Sequence, residues 1–113
     1  MSNLGKWLKK RIYRYREMQE FDVDEEQMKQ MLNQGTILVD VRSPQEYNEG
    51  HIDGAILIPD YEIKKRINNI AVNKNQKIIV CCSTGSRSKK VQRELNKLGY
   101  TQIYNLYNGI QNY

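Results

Sequence analysis

The residues best suited to chemistry form a short polar loop directly after an apolar run. This loop, residues 82–88, reads Cys-Ser-Thr-Gly-Ser-Arg-Ser, and the residues before it are apolar from Ile78 onwards. Gly85 permits a tight turn, in which successive backbone N–H groups can form a concave anion-binding nest. The start of the helix predicted to follow and the guanidinium of Arg87 add positive charge there. Because the thiolate is the nucleophilic form of cysteine, these features predict a reactive Cys82.

Four apolar runs alternate with four helical patterns around this loop. The runs predict buried strands over residues 36–41, 55–58, 77–82 and 102–106. The patterns predict helices over residues 24–32, 43–49, 60–70 and 87–98. Asp24, Ser43 and Asp60 are suitable N-caps, and Pro44 suits the first helical position. The alternation predicts an α/β domain with a mainly parallel sheet, in which ligands bind at the carboxyl ends of the strands.

Three segments, in register along the chain, resemble the rhodanese (sulfurtransferase) family. The spacing Cys82-x-x-Gly85-x-Arg87-Ser88 resembles its active-site loop, and residues 98–110 resemble its C-terminal strand and turn, although the family more often has two glycines where Asn108-Gly109 stands. A third segment resembles the first signature of the family. It consists of Val39-Asp40-Val41-Arg42-Ser43-Pro44, Glu46-Tyr47, Gly50-His51-Ile52-Asp53-Gly54-Ala55-Ile56 and Pro59. The resemblance covers about residues 20–113 and implies a five-stranded, mainly parallel sheet with helices on both faces.

The resemblance implies that Cys82 takes a sulfane sulfur from a donor, holds it as a persulfide and passes it to a thiol or to cyanide. The loop after Cys82 would bind the transferred sulfur and the donor through its backbone amides; its residues are Ser83, Thr84, Gly85, Ser86 and Arg87. Thiosulfate, a small-molecule persulfide and a partner protein's persulfide are all possible donors. Some members of the family carry basic residues where Ser83 and Thr84 stand, so the neutral hydroxyls favour thiosulfate less. The implied reaction needs no cofactor.

The resemblance also implies supporting residues around the loop. Asp40, Arg42 and His51 would form a structural network that supports the active site rather than react. Arg87 has two possible roles, which are contact with the substrate and a structural tie to Asp40 or Glu46. Because the chain has one histidine and its two cysteines are adjacent, no metal site is predicted.

Cys81 is the alternative nucleophile, because five residues separate it from Arg87, as in cysteine-dependent phosphatases. Four residues separate Cys82 from Arg87. In both families a glycine lies three residues after the nucleophile, and Gly85 has this position only relative to Cys82. Cys81 is predicted to point to the opposite side of the strand as a small core side chain. An arsenate reductase or phosphatase therefore stays the alternative enzyme, and the shorter loop favours a single sulfur atom over phosphate.

The positive charge of the chain is concentrated in its first 16 residues. The net charge is +5, and this segment has basic residues and no acidic ones, so the rest of the chain is close to neutral. Apolar residues recur at helical spacing between the basic ones, which predicts an amphipathic arm over residues 1–19 and a rhodanese-like domain over residues 20–113. Residues 4–16 could pack on the domain, or contact a membrane surface or an acidic partner.

Composition restricts the class of protein to which the chain can belong. A chain of 113 residues with 39% hydrophobic and 27% charged residues predicts one globular domain beside this arm. No apolar stretch is long enough to span a bilayer or to form a signal peptide, and two adjacent cysteines cannot build a disulfide framework. A cytoplasmic location is therefore predicted, with peripheral membrane contact through the arm as an alternative. Isolated tyrosines give no indication of specific nucleic-acid binding. A non-catalytic docking or sensing module is the alternative outside the enzymes.

Overall fold

The computed structural model describes residues 17–110, which form one sheet of five strands that are all parallel. The strands are β1 (Asp22–Val23), β2 (Ile37–Asp40), β3 (Ile56–Leu57), β4 (Ile78–Cys81) and β5 (Ile103–Leu106). The helices are α1 (Glu25–Asn33), α2 (Pro44–Glu49), α3 (Ile63–Ile70) and α4 (Ser86–Lys97). The strand order is β1-β5-β4-β2-β3, which places β4 at the centre. The predicted α/β fold with a five-stranded parallel sheet is confirmed.

The sheet separates two apolar cores, and helices cover both of its faces. On one face, Val39 and Val80 pack with Ile67 of α3 and Leu95 of α4. On the other face, a second cluster includes Met28 of α1. Adjacent residues of β4 belong to different clusters because side chains alternate along a strand. The two cysteines are separated in this way, since Cys82 belongs to the first cluster and Cys81 to the second.

Two of the three predicted N-caps are confirmed. The Asp24 side chain accepts a hydrogen bond from the backbone N–H of Gln27 at 2.8 Å, and the Gln27 side-chain oxygen accepts one from the Asp24 backbone N–H at 2.9 Å. Ser43 and Glu46 form the same reciprocal pair at the start of α2, where Pro44 is the first residue. Such pairs satisfy backbone donors that a helix start leaves free.

The structure corrects the third cap and adds a strand. Asp60 begins a 3-10 turn instead of capping a helix over 60–70, because its own N–H donates to the Val41 carbonyl at 3.0 Å and the Glu62 N–H donates to the Pro59 carbonyl at 2.8 Å. These bonds tighten the chain, so α3 begins only at Ile63. Strand β1 was not predicted, because two residues are too few to show a period. The predicted strand over 77–82 ends at Cys81, so Cys82 is the first residue of the loop.

The predicted amphipathic helix within residues 4–16 lies outside the described residues. Within residues 17–110, no helix combines the length and the apolar character that a bilayer crossing requires.

Candidate active site

The sulfur of Cys82 lies at the start of α4 and accepts hydrogen bonds there. The backbone N–H of Gly85 donates to Sγ at 3.1 Å, and the backbone N–H of Ser88 donates at 3.3 Å. The Ser88 hydroxyl oxygen is also 3.3 Å from Sγ. Gly85 belongs to the predicted set of binding amides, whereas Ser88 lies beyond it. Amide donors of this kind stabilise negative charge on sulfur.

The start of α4 explains why these amides face the sulfur. Gly85 is the N-cap, with φ +94°, and it has no side chain to bond the free N–H groups of the first turn. Ser88 is the third residue of α4. The backbone N–H at this position usually donates to the side chain of the N-cap residue. Here Cys82 Sγ satisfies it instead. The sulfur therefore sits where the helix presents its positive end.

The C-terminal turn supports this loop from behind. The Ile110 N–H donates to the Cys82 carbonyl at 2.9 Å. Gly109 has φ +70°, and a Cβ at this position would lie 2.3 Å from the Ser83 carbonyl oxygen. Asn108 has φ +63°, a conformation that asparagine tolerates better than most residues. This explains why asparagine can replace the first of the two glycines, while the second position requires glycine.

Arg87 forms a structural tie to Glu46, one of the roles left open by its sequence. Its two terminal nitrogens donate to the two Glu46 carboxylate oxygens at 2.7 Å and 2.8 Å. The Ser83 hydroxyl joins the pair, donating to Glu46 at 3.1 Å and accepting from Arg87 at 3.2 Å. The Arg87 guanidinium holds the pKa of the Glu46 carboxyl well below its usual range, and Glu46 raises the pKa of Arg87. Much of the positive charge of Arg87 is therefore balanced at the rim of the loop.

Asp40 and Arg42 form a second pair at the carboxyl end of β2. Arg42 Nη2 donates to Asp40 at 2.7 Å and to the Gly50 carbonyl at 2.7 Å, which links the strand to the turn after α2. This hydrogen bonding raises the pKa of Arg42. His51 Nδ1 lies 2.8 Å from the Tyr47 carbonyl oxygen, and the two rings stack with centroids 3.6 Å apart. Each of these contacts links parts of the first signature to one another.

Comparison with known proteins identifies the family. A model of the rhodanese-like domain matches residues 24–113 of this chain. The chain belongs to the rhodanese-like family. It is similar to the thiosulfate sulfurtransferase PspE of Escherichia coli K12, with 39% identity over 67 residues, which are 59% of this chain and 64% of PspE. A sulfurtransferase of Allochromatium vinosum is 32% identical over 91 residues, covering 79% of this chain and 83% of that protein.

A solved structure supports the fold. The human single-domain sulfurtransferase TSTD1 matches with a TM-score of 0.73 and 23% identity, covering 82% of this chain and 94% of TSTD1. The chain spans between 40% and 64% of the length of three of the curated relatives that it matches.

The loop of this rhodanese-like domain separates two surface clefts. Ser83 lines one cleft of about 590 Å³, together with Arg42 and His51. Thr84 and Ser86, whose hydroxyl oxygens are 3.3 Å apart, line the other cleft of about 510 Å³, as does Gly85. The predicted binding residues are therefore divided between two sides of the loop. Cys82 itself is fully buried.

Sequence reasoning missed the polar residues that lie behind the sulfur. Ser88 has none of its surface exposed and contacts Cys82, and Asn105 of β5 accepts a hydrogen bond from the Ser88 hydroxyl. Asn105 in turn contacts Asp22, which forms an ion pair with Lys89 at 2.7 Å. The available signal was Asn105 itself, because a polar residue inside an apolar strand needs a buried partner.

Proposed function

We propose that this rhodanese-like domain transfers sulfane sulfur through a persulfide on Cys82. The Cys82 thiolate attacks the outer sulfur of the donor, a new S–S bond forms, and the electron pair of the broken bond leaves with the donor fragment. A thiol or cyanide then attacks the outer sulfur, and Cys82 is released as a thiolate. The observation that supports this most strongly is the convergence of the Gly85 and Ser88 amides on Sγ, because such donors stabilise the sulfur anion that attacks and leaves.

Intact mass spectrometry after incubation with a sulfane donor tests this proposal. We expect the wild-type protein to gain about 32 Da, the mass of one sulfur atom, and to lose it again when a thiol is added. Cys82→Ser should gain nothing. Cys81→Ala is the matched control, since it removes the neighbouring thiol on the other face of the sheet and should leave the gain unchanged. A Cys82→Ser protein that still transfers sulfur would contradict the proposal.

The charge around the loop supports a persulfide as the preferred donor. Thiosulfate carries two negative charges, and the Arg87 charge that would attract them is balanced by Glu46. Ser83, whose hydroxyl is bound to the same carboxylate, adds no charge of its own. A small-molecule persulfide or a persulfide on a partner protein needs less positive charge. Thiosulfate is the alternative donor, because the similar protein PspE is a thiosulfate sulfurtransferase. Measuring kcat/KM of this protein with thiosulfate and with a low-molecular-weight persulfide compares the two donors directly.

A phosphatase or arsenate reductase has less support from the loop. Charge-assisted hydrogen bonds from an arginine strengthen the binding of a tetrahedral oxyanion, and Arg87 would have to leave Glu46 to supply them. We expect no turnover of an aryl phosphate under conditions in which sulfur transfer is measurable. Phosphate release that is lost in Cys82→Ser would favour this alternative. Normal cellular function of Cys82→Ser would instead favour a docking or sensing module.

We further propose that the protein acts in the cytoplasm, where thiol acceptors stay reduced, and that residues 4–16 contact an anionic membrane surface or an acidic partner. Flotation with anionic vesicles, comparing the full chain with a variant lacking residues 1–16, tests the membrane contact. Equal flotation of both proteins would contradict it.

A further inference from the structure

The hydroxyl of Ser88 has one proton and three neighbours that compete for it. Its oxygen lies 3.3 Å from Cys82 Sγ and 3.2 Å from the Gly85 carbonyl oxygen, and its shortest contact is with Asn105 Oδ1. The hydroxyl has no exposed surface, so water does not provide a further partner. A hydroxyl donates one hydrogen bond and can accept others. The proton must therefore point to one of these groups at a time.

The surroundings of Asn105 fix which atom of its side-chain amide faces Ser88. The Asn105 amide nitrogen donates to Asp22 Oδ1 at 3.2 Å, and the same carboxylate oxygen receives a hydrogen bond from Lys89 Nζ at 2.7 Å. The other Asp22 oxygen accepts from the Gln19 backbone N–H at 2.8 Å. A carboxylate accepts hydrogen bonds, so the Asn105 NH₂ must face Asp22 and its carbonyl oxygen must face Ser88. Asn105 Oδ1 is therefore an acceptor, and its shorter contact favours it over the Gly85 carbonyl as the partner of the Ser88 proton.

This arrangement couples the position of the Ser88 proton to the charge on sulfur. While its proton points to Asn105, Ser88 presents a lone pair to Cys82, which suits an S–H group that donates. When the thiol proton leaves to water, the thiolate needs a donor, and the Ser88 hydroxyl can supply one by turning away from Asn105. The Asn105 carbonyl then loses its hydrogen bond. The acceptor at position 105 therefore opposes the charged form of the sulfur.

We propose that Asn105 is a positioning residue that competes with the Cys82 sulfur for the Ser88 hydroxyl proton and so weakens the hydrogen bond that Ser88 can donate to a thiolate. This inference rests on the proposed function only in taking Cys82 as the reactive thiol. Two charged pairs contact residues of this region, Arg87–Glu46 beside Ser83 and Asp22–Lys89 beside Asn105. Substitutions at positions 88 and 105 leave all four charged groups in the protein.

The test is the alkylation of Cys82 by iodoacetamide in the full chain carrying Cys81→Ala, so that Cys82 is the only thiol. The rate at pH 7 is divided by the rate at pH 10, because this ratio cancels changes in access to the sulfur. Ser88→Ala should lower the ratio about tenfold, the value of a hydrogen bond to a charged group. Asn105→Ala should raise it about threefold, since the Gly85 carbonyl still competes for the Ser88 proton. The double variant should match Ser88→Ala alone.

The double variant distinguishes an effect of Asn105 that acts through the Ser88 hydroxyl from a purely structural effect of Asn105. If Asn105→Ala lowers the ratio, or if it changes the ratio equally with and without Ser88, the inference is wrong. Asn105→Leu fills the space of the amide without an acceptor, and it replaces the alanine variant if thermal melting shows that the latter is unfolded. A wild-type protein that gains no sulfur while these ratios follow the expected pattern would contradict the proposed function and leave the inference intact.

Discussion

Cys81 and Cys82 are adjacent in the chain and face opposite sides of the sheet. Both are free thiols with no exposed surface. Cys81 packs in the cluster that contains Leu38 and Ile79, and burial raises the pKa of its thiol well above the usual range. Cys82 instead receives two backbone N–H donors and contacts a hydroxyl. Burial therefore does not distinguish the two cysteines. They differ in hydrogen bonding, because only the Cys82 sulfur receives these backbone donors.

A shift of one residue along the chain places the two thiols in different chemical environments. Cys81 is the last residue of β4, where its backbone is part of the sheet, and its carbonyl accepts from the Val41 N–H at 3.0 Å. Cys82 is the first residue beyond the strand, where the chain turns into α4. The turn brings free amides of the helix start to its sulfur, and the same amides are out of reach on the other face of the sheet.

The largest effect should come from breaking the support of the Cys82 loop through Gly109→Ala. The new Cβ would lie 2.3 Å from the Ser83 carbonyl oxygen, so the loop backbone must move, and φ +70° adds strain. We expect sulfur transfer to fall at least about a hundredfold, as misplacement of about 1 Å can cause, and the free energy of unfolding to fall by at least about 2 kcal/mol. Sulfur loading followed by mass spectrometry and urea denaturation measure the two effects.

Gly35→Ala is the matched control for this substitution. Gly35 has φ +89°, but its Cβ would meet nothing within 4 Å. It should lose about 1 kcal/mol of stability from backbone strain and keep sulfur transfer within about twofold. Equal transfer by the two alanine variants would show that Gly109 does not hold the Cys82 loop in place.

The fold and the tight turn after Cys82 could be predicted from sequence because their signals are local. The cap at Ser43 lies three residues from its partner, and the spacing from Cys82 to Gly85 fixes the tight turn. The polar network behind the sulfur could not be predicted, because Ser88 and Asn105 are 17 residues apart and Asn105 and Asp22 are 83 apart. Only the assembled sheet, with β1 beside β5, brings them together.

A second prediction concerns the charge on the Cys82 side of the sheet. Glu46→Gln removes the negative partner of Arg87 and leaves the Asp40–Arg42 pair near Cys81 in place. Because the freed guanidinium attracts a dianion more than a persulfide, we expect kcat/KM for thiosulfate to rise about fivefold relative to a low-molecular-weight persulfide, equivalent to about 1 kcal/mol. An unchanged ratio of the two substrates would mean that Glu46 does not influence donor choice.

A third prediction concerns the Cys81 side. Cys81→Ala removes a buried sulfur from the second core cluster and should lower the free energy of unfolding by about 1 kcal/mol. Because its side chain faces away from the loop, sulfur transfer by the folded protein should stay within about twofold of wild type. Urea denaturation and sulfur loading measure these effects. A tenfold loss of transfer with normal stability would show that the two faces are coupled.

The smallest effect is the contribution of Glu46 to stability in acid. Arg87 holds the pKa of the Glu46 carboxyl below that of the unfolded chain, so the folded state binds fewer protons there. The stabilisation is complete above the pKa of an unfolded glutamate, about 4.3, and is lost as the pH falls below it. The difference in unfolding free energy between wild type and Glu46→Gln should therefore shrink from pH 6 to pH 3. Glu46 is about one-third exposed, at 32%, so solvent screening keeps this change small.

Glu62→Gln provides the matched control, because Glu62 pairs with Arg66 on an exposed helical surface away from both cysteines. Side-chain exposures of 40% and 46% leave this pair well screened, so its loss should change stability less than the loss of the Glu46 pair. Raising the salt concentration to about 0.5 M should weaken both contributions, since added ions screen exposed charges over a few ångströms. If the Glu46→Gln difference is the same at pH 6 and pH 3, the ion pair does not stabilise the fold, and the Arg87–Glu46 contact serves only to balance charge beside Cys82.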